Sequence, residues 1–166
     1  FAGNHVEDQT VAAGTQAHAD VLLALRAQAF HAPALEAEQG LEVEVGRTRV
    51  GLTRGAADDA LMGFVVADAY REELGADFAI QNTGGVRADL SAGPITERDL
   101  LAVSPFGNQM VLARIDGAML RALIEDRLAG RGGGLFISGG RVRYDPSHPD
   151  GQRLVEFSIG GAPPCA

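Results

Sequence analysis

The 166-residue chain carries a formal net charge of −8, with 46% hydrophobic and 22% charged residues. That balance suits one folded globular unit rather than a disordered tail. Its overall negative field argues against a nucleic-acid polymer or an anionic membrane as the main partner, while a small anion can still bind at a local basic spot.

No apolar run approaches the roughly 20 residues that cross a bilayer, and no charged-then-apolar leader precedes the first segments. A chain opening on Phe1 reads as a processed product or an excised piece. Cys165 stands alone, cannot form an internal disulfide and reads as an incidental thiol.

Residues 1–40 are expected to form a linker segment and a helix, and 41–166 the domain proper. Residues 1–19 are small and polar, a loose entry segment. Val21, Leu22, Leu25 and Ala29 then recur at helical spacing behind Asp20 as N-cap, and Pro33 limits that helix. In "LEVEVGRTRVGL", Leu41, Val43 and Val45 alternate with Glu42 and Glu44, the period of a half-buried strand, with Gly46 as a turn or bulge.

"DDALMGFVVADAYREELG" is the strongest helix, because Leu61, Val65, Ala69 and Met62, Val66, Tyr70 form neighbouring rows that stop at Gly75. One face of it is expected to pack on a sheet. "ADFAIQ" reads as a short buried strand leading to Asn82. Thr96 and Asp99 form a capping pair for a short helix through Leu100 and Leu101, closed by Pro105. "QMVLARI" is strand-like, and Asp116-Gly117 caps a helix with Met119, Leu120, Leu123, Ile124 and Leu128 inward. "LFIS", "RVRYD" and "RLVEFSI" complete the chain as short strands between glycine and Asp-Pro turns. Helices and strands alternate without a constant βαβ unit, which predicts a mixed α/β or α+β sandwich.

Two loops carry chemistry. In "QNTGGVRADL", Gly84 and Gly85 permit positive φ and close backbone approach to an anion. Arg87 adds a permanent forked cation and Asn82 a donor and an acceptor. The alternative is a plain glycine turn beside a solvated arginine. In "SPFGNQ", Phe106 sits between Pro105 and Gly107 rather than in an apolar row, so its ring suits stacking on a planar ligand while Asn108 reads a ring edge. The alternative there is a phenyl ring folded back on the protein.

The order N-x-G-G-[VI]-R, a G-P-[IL] turn, a short helix and a P-F-G-N loop resembles the C-terminal domain of the 5'-nucleotidase family, which includes periplasmic UDP-sugar hydrolases and surface ecto-5'-nucleotidases. The resemblance runs from about Glu42 to Ile159 and includes "MGFVVADAYREELGADFAIQN". It implies a layered α/β/β/α sandwich with mixed sheets. It also implies that Asn82, Gly84, Gly85 and Arg87 contact the sugar and neighbouring groups of a nucleotide or nucleoside, with Phe106 and Asn108 at the base.

Where family members carry an arginine six residues before the Met-Gly of the long helix, this chain has Ala56, with Arg54 nearby. The late "F-L-A-x-G-G-D" segment with a second base-stacking aromatic is absent, so the domain reads as cut short relative to the family. The divalent metal pair of the family is expected in a separate N-terminal metallophosphoesterase domain. "GNH" at residues 3–5 is only a fragment of a metal motif, and His5, His18, His31 and His148 show no ligand spacing.

Ser104, Ser138 and Ser158 lack a nucleophile setting, and Asp58, Asp59, Glu125 and Asp126 are expected at helix ends or on solvated faces. The resemblance therefore implies a substrate-recognition domain, inactive alone, of an exported or cell-surface phosphoester hydrolase. A related two-domain hydrolase acting on cyclic nucleotides, UDP-sugars or sulfur adducts, and a stand-alone binding module, are the alternatives.

Overall fold

The computed structural model describes residues 41–54, 61–131 and 133–160, together with the backbone of 7–9. Its strands are β1 (Glu7–Gln9), β2 (Glu44–Thr48), β3 (Ala79–Asn82), β4 (Gly93–Thr96), β5 (Leu135–Ser138), β6 (Gly140–Tyr144) and β7 (Leu154–Ile159). The helices are α1 (Leu61–Leu74), α2 (Glu97–Val103) and α3 (Gly117–Leu128). The predicted helix around Val21–Ala29 lies outside the described residues.

The strands pair as β1-β6-β7, β2-β4 and β3-β5, and every ladder among the described residues is antiparallel. β5 separates two apolar clusters, because adjacent residues of a strand point to opposite faces. Phe136 joins the cluster of Met62, Val66, Leu90, Ile95, Leu100 and Val103, whereas Ile137 joins Leu120, Ile124, Val142, Leu154 and Phe157. α1 packs on β3 and β5, and α3 packs on β7. The result is the expected mixed α/β class, with a helix outside each sheet layer.

Helix α1 departs from the expectation of a one-faced helix: Met62 through Ala69 are all buried. Its first turns are apolar on every side, and such a helix is stable only when enclosed. Asp68, the one acid in that stretch, is bonded by the Ser138 hydroxyl, which in turn accepts from Arg71 Nε at 2.8 Å. Ser138 is thus a structural tie between α1 and β5. The helix ends at Gly75, whose φ of +58° suits the left-handed C-terminal position.

Several expectations are met in detail. Gly46 marks a bulge, since the β2-β4 register shifts between Glu44 and Gly46. Thr96 and Asp99 form a full capping box on α2, with the Thr96 N–H donating to Asp99 Oδ2 at 2.8 Å and the Asp99 N–H to Thr96 Oγ1 at 3.3 Å. Asp116 caps α3, accepting from the Met119 N–H at 2.7 Å.

Other expectations are corrected. Glu7–Gln9, placed in a loose entry segment, forms an edge strand on β6, since main-chain pairing needs no apolar period. Gly93–Thr96, expected as a turn, is β4. Val43 and Met119, expected inward, are exposed; in α3 the inward row is Leu120 and Ile124. Glu125, expected on a solvated face, is buried, and its carboxylate accepts the backbone N–H groups of Arg153 and Leu154 at 3.1 and 2.8 Å. "QMVLARI" forms no strand among the described residues, and Val111 and Leu112 are exposed.

Candidate functional site

β3 delivers the chain to Asn82 while pairing with β5, with Asn82 opposite Leu135. The glycines that follow do not use positive φ. Thr83–Gly85 is a 3-10 turn closed by the Val86 N–H donating to Thr83 O at 3.3 Å. Space is the reason for glycine instead: a Cβ on Gly85 would overlap the side-chain amide of Gln81 and meet Asn82 Oδ1. Gln81 Nε2 donates to Asn82 O at 2.9 Å and reaches its Oδ1 at 3.3 Å, so Gln81 orients Asn82.

A second glycine run supports the turn from β5's side. The Thr83 N–H donates to Gly134 O at 3.0 Å, and a Cβ on Gly134 would press on the Thr83 methyl. The sequence showed this run plainly, but nothing in its residue types pointed to Thr83.

Val86, 4% exposed, anchors the loop in the core, and strand-like alternation then turns Arg87 outward. The Arg87 N–H donates to Val103 O at 2.8 Å, which fastens the glycine loop to the end of α2, immediately before the Phe106 loop. Tyr70 of α1 reaches the same junction. Burial pushes its phenol above the ordinary value, and the neighbouring Ser104 hydroxyl pulls the other way.

Phe106 is 52% exposed, so its ring is not part of the apolar core. Gly107 turns the loop at a φ of +60°, a conformation costly for any side chain. The Arg87 guanidinium lies over the Phe106 ring, 5.9 Å from its centroid, within cation–π range. Arg87 Nη1 also reaches Gly84 O at 3.5 Å. The two predicted loops therefore meet through Arg87, with Asn82, Gly84 and Gly85 on one side and Phe106 and Asn108 on the other. Asn82 and Asn108 are exposed.

Arg54 is committed elsewhere: its N–H and Nε both donate to Asp89 Oδ1, at 2.7 and 3.1 Å. Ala56 lies outside the described residues, as do His5, His18, His31, Asp58, Asp59 and Cys165. His148 sits on an exposed turn, its Nδ1 3.0 Å from Gln152 O. Among the described residues no group of three or more His, Cys, Asp or Glu side chains is arranged to hold a metal.

A family profile described as "5'-nucleotidase, C-terminal domain" matches residues 41–164. The NAD 5'-nucleotidase of Haemophilus influenzae is 32% identical over 103 residues, 58% of this chain and 17% of that protein. The trifunctional nucleotide phosphoesterase protein YfkN of Bacillus subtilis is 31% identical over 133 residues, covering 70% of this chain and 9% of its own length. The structure of a 5'-nucleotidase precursor from Thermus thermophilus superposes with a TM-score of 0.61 at 28% identity, over 74% of this chain and 25% of that one. The chain thus spans a quarter or less of the length of these relatives.

Proposed function

The chain belongs to the 5'-nucleotidase C-terminal domain family, and from that premise we propose that it is the part of a phosphoester hydrolase that recognises the nucleotide or nucleoside. Hydrolysis would take place on an N-terminal metallophosphoesterase domain of the parent protein. A divalent metal pair held there would activate water and polarise the phosphoryl group. On this reading the role of this chain is to bind and orient the substrate. An exported or cell-surface location follows from the same family reading.

The observation that carries the proposal is the meeting of Arg87 and the exposed Phe106 ring, 5.9 Å apart, at the junction of two loops. A nucleotide needs a cation or donors for its sugar and phosphate and a flat apolar surface for its base. Asn82, the glycine turn and Arg87 supply the first, and Phe106 with Asn108 supplies the second. One aromatic face contributes roughly 1–3 kcal/mol of stacking. With Phe106 alone stacking on one face of the base, adenosine affinity is expected to be on the order of millimolar.

The test is an NMR titration of the chain with adenosine and with AMP. The Gly84 and Gly85 amides, Phe106 and Asn108 should move together, and Phe106→Ala should remove the base-dependent part. Arg87→Ala should weaken AMP binding by about 1.5–3 kcal/mol, as for a charge-assisted hydrogen bond, at an unchanged melting temperature. Adenosine and AMP that leave both loops unmoved would refute the reading. The chain alone is expected to release no phosphate from AMP with Mn²⁺, Mg²⁺ or Zn²⁺ added; turnover lost in a point mutant of this chain would place catalysis here instead.

A further inference from the structure

The chain has 22 acidic and 14 basic residues, and about half of its described arginines, Arg71 among them, find a carboxylate. Arg47, Arg54, Arg98, Arg131, Arg143 and Arg153 all form ion pairs. Arg87 forms none among the described residues; its guanidinium has the Phe106 ring and the distant Gly84 carbonyl. Phe106 makes no ring–ring contact among the described residues either, the aromatic pairs being Phe64–Phe136 and Phe78–Phe157. Arg87 reaches the ring from the glycine turn, the side from which a ligand spanning both loops would meet it. The guanidinium carbon lies over that ring, 5.9 Å from its centroid, so a base that stacks on the same face meets Arg87.

We propose that Arg87 is a specificity-determining residue that couples the two halves of the site: held over one face of the Phe106 ring, it competes with a base for that face until an anionic group on the ligand draws it toward the glycine turn. The inference rests on the nucleotide-recognition reading above and adds a preference to it. A neutral nucleoside must displace the guanidinium unaided, whereas a phosphate-bearing ligand recruits the same group that it moves. Anion and base binding are then positively linked, and linkage is reciprocal: phosphate should tighten adenosine by the factor by which adenosine tightens phosphate. Release of an exposed cation–π contact sets the size of the effect at about two- to fivefold.

Adenosine is titrated into the 166-residue chain with and without saturating inorganic phosphate, at constant ionic strength, with the Phe106 ring protons and the Gly84 and Gly85 amides observed. Phosphate alone is expected to shift the Phe106 ring protons and to tighten adenosine about two- to fivefold. In Arg87→Gln the phosphate-induced shift of the ring protons and the phosphate-dependent tightening of adenosine should both vanish. The proposal is overturned if phosphate moves the glycine amides but not the ring, or if it leaves adenosine affinity unchanged. It is also overturned if Arg87→Gln loses adenosine as strongly as it loses AMP. Adenosine that binds nowhere defeats the underlying reading instead, a result told apart by the silence of both loops in the phosphate-free arm.

Discussion

A Cβ on Gly63 would run into the ring of Phe136, which is 6% exposed and packed edge-on against Phe64 at 5.3 Å between centroids. A Cβ on Gly85 would run into the end of the flexible Gln81 side chain, which can move aside by giving up its bonds to Asn82. The same substitution should therefore give opposite phenotypes. Gly63→Ala gains about 0.5–1 kcal/mol of helix preference but overpacks a rigid core site for about 1–3 kcal/mol, so it should lower the melting temperature. Gly85→Ala should change stability by less than about 0.5 kcal/mol, yet weaken AMP binding by displacing the amide that orients Asn82. Thermal melts and AMP titrations of the two variants separate these outcomes. The candidate residues Asn82, Gly84, Gly85, Arg87 and Phe106 stood out in the sequence because Asn, Gly-Gly, Arg and a lone loop Phe are conspicuous by type. The contacts of Gln81 and Tyr70 were not legible there, since neither residue departs from what a strand or a helix would carry anyway.

At the scale of elements, α1, α2 and α3 could be read from apolar rows and caps, because a helix is stabilised by neighbours within a turn of the chain. β4 escaped notice: its Gly93-Pro94 start is a turn signal, and only the distant β2 makes a strand of it. "QMVLARI" failed the other way. Its residues favour a strand, but a strand also needs a partner, and none of the described segments supplies one.

The β6-β7 connection offers a pH test. Asp145 is held below the ordinary aspartate value of 3.8 first by the Ser147 hydroxyl, then by the Ser147 N–H, with His148 adding to the effect. Its carboxylate oxygen accepts those bonds at 2.6 and 2.9 Å. A depressed folded value means stabilisation that is present above the unfolded value and lost as pH falls through the folded one. Asp145→Asn should therefore melt lower than the native chain at neutral pH. The difference should shrink in strongly acidic buffer; a gap that is constant across that range would rule out the ionic contribution.

Across the whole molecule, burial and exposure are unevenly shared. Val111 is 82% and Leu112 62% exposed, with Ile115 and Phe106 nearby in sequence at 45% and 52%. An extended apolar run without a described partner is a surface on which chains adhere to one another. Val111→Glu should reduce self-association in sedimentation velocity without moving the melting temperature. If it leaves association unchanged, the apolar run is not the adhesive surface. β5 stands at the other extreme, with Phe136 in one apolar cluster and Ile137 in the other. Loss of that strand would therefore disturb both clusters at once. Deuterium should therefore enter the Phe136 and Ile137 amides only through complete unfolding, at a rate set by global stability, while the amides of the Phe106 loop exchange through local opening.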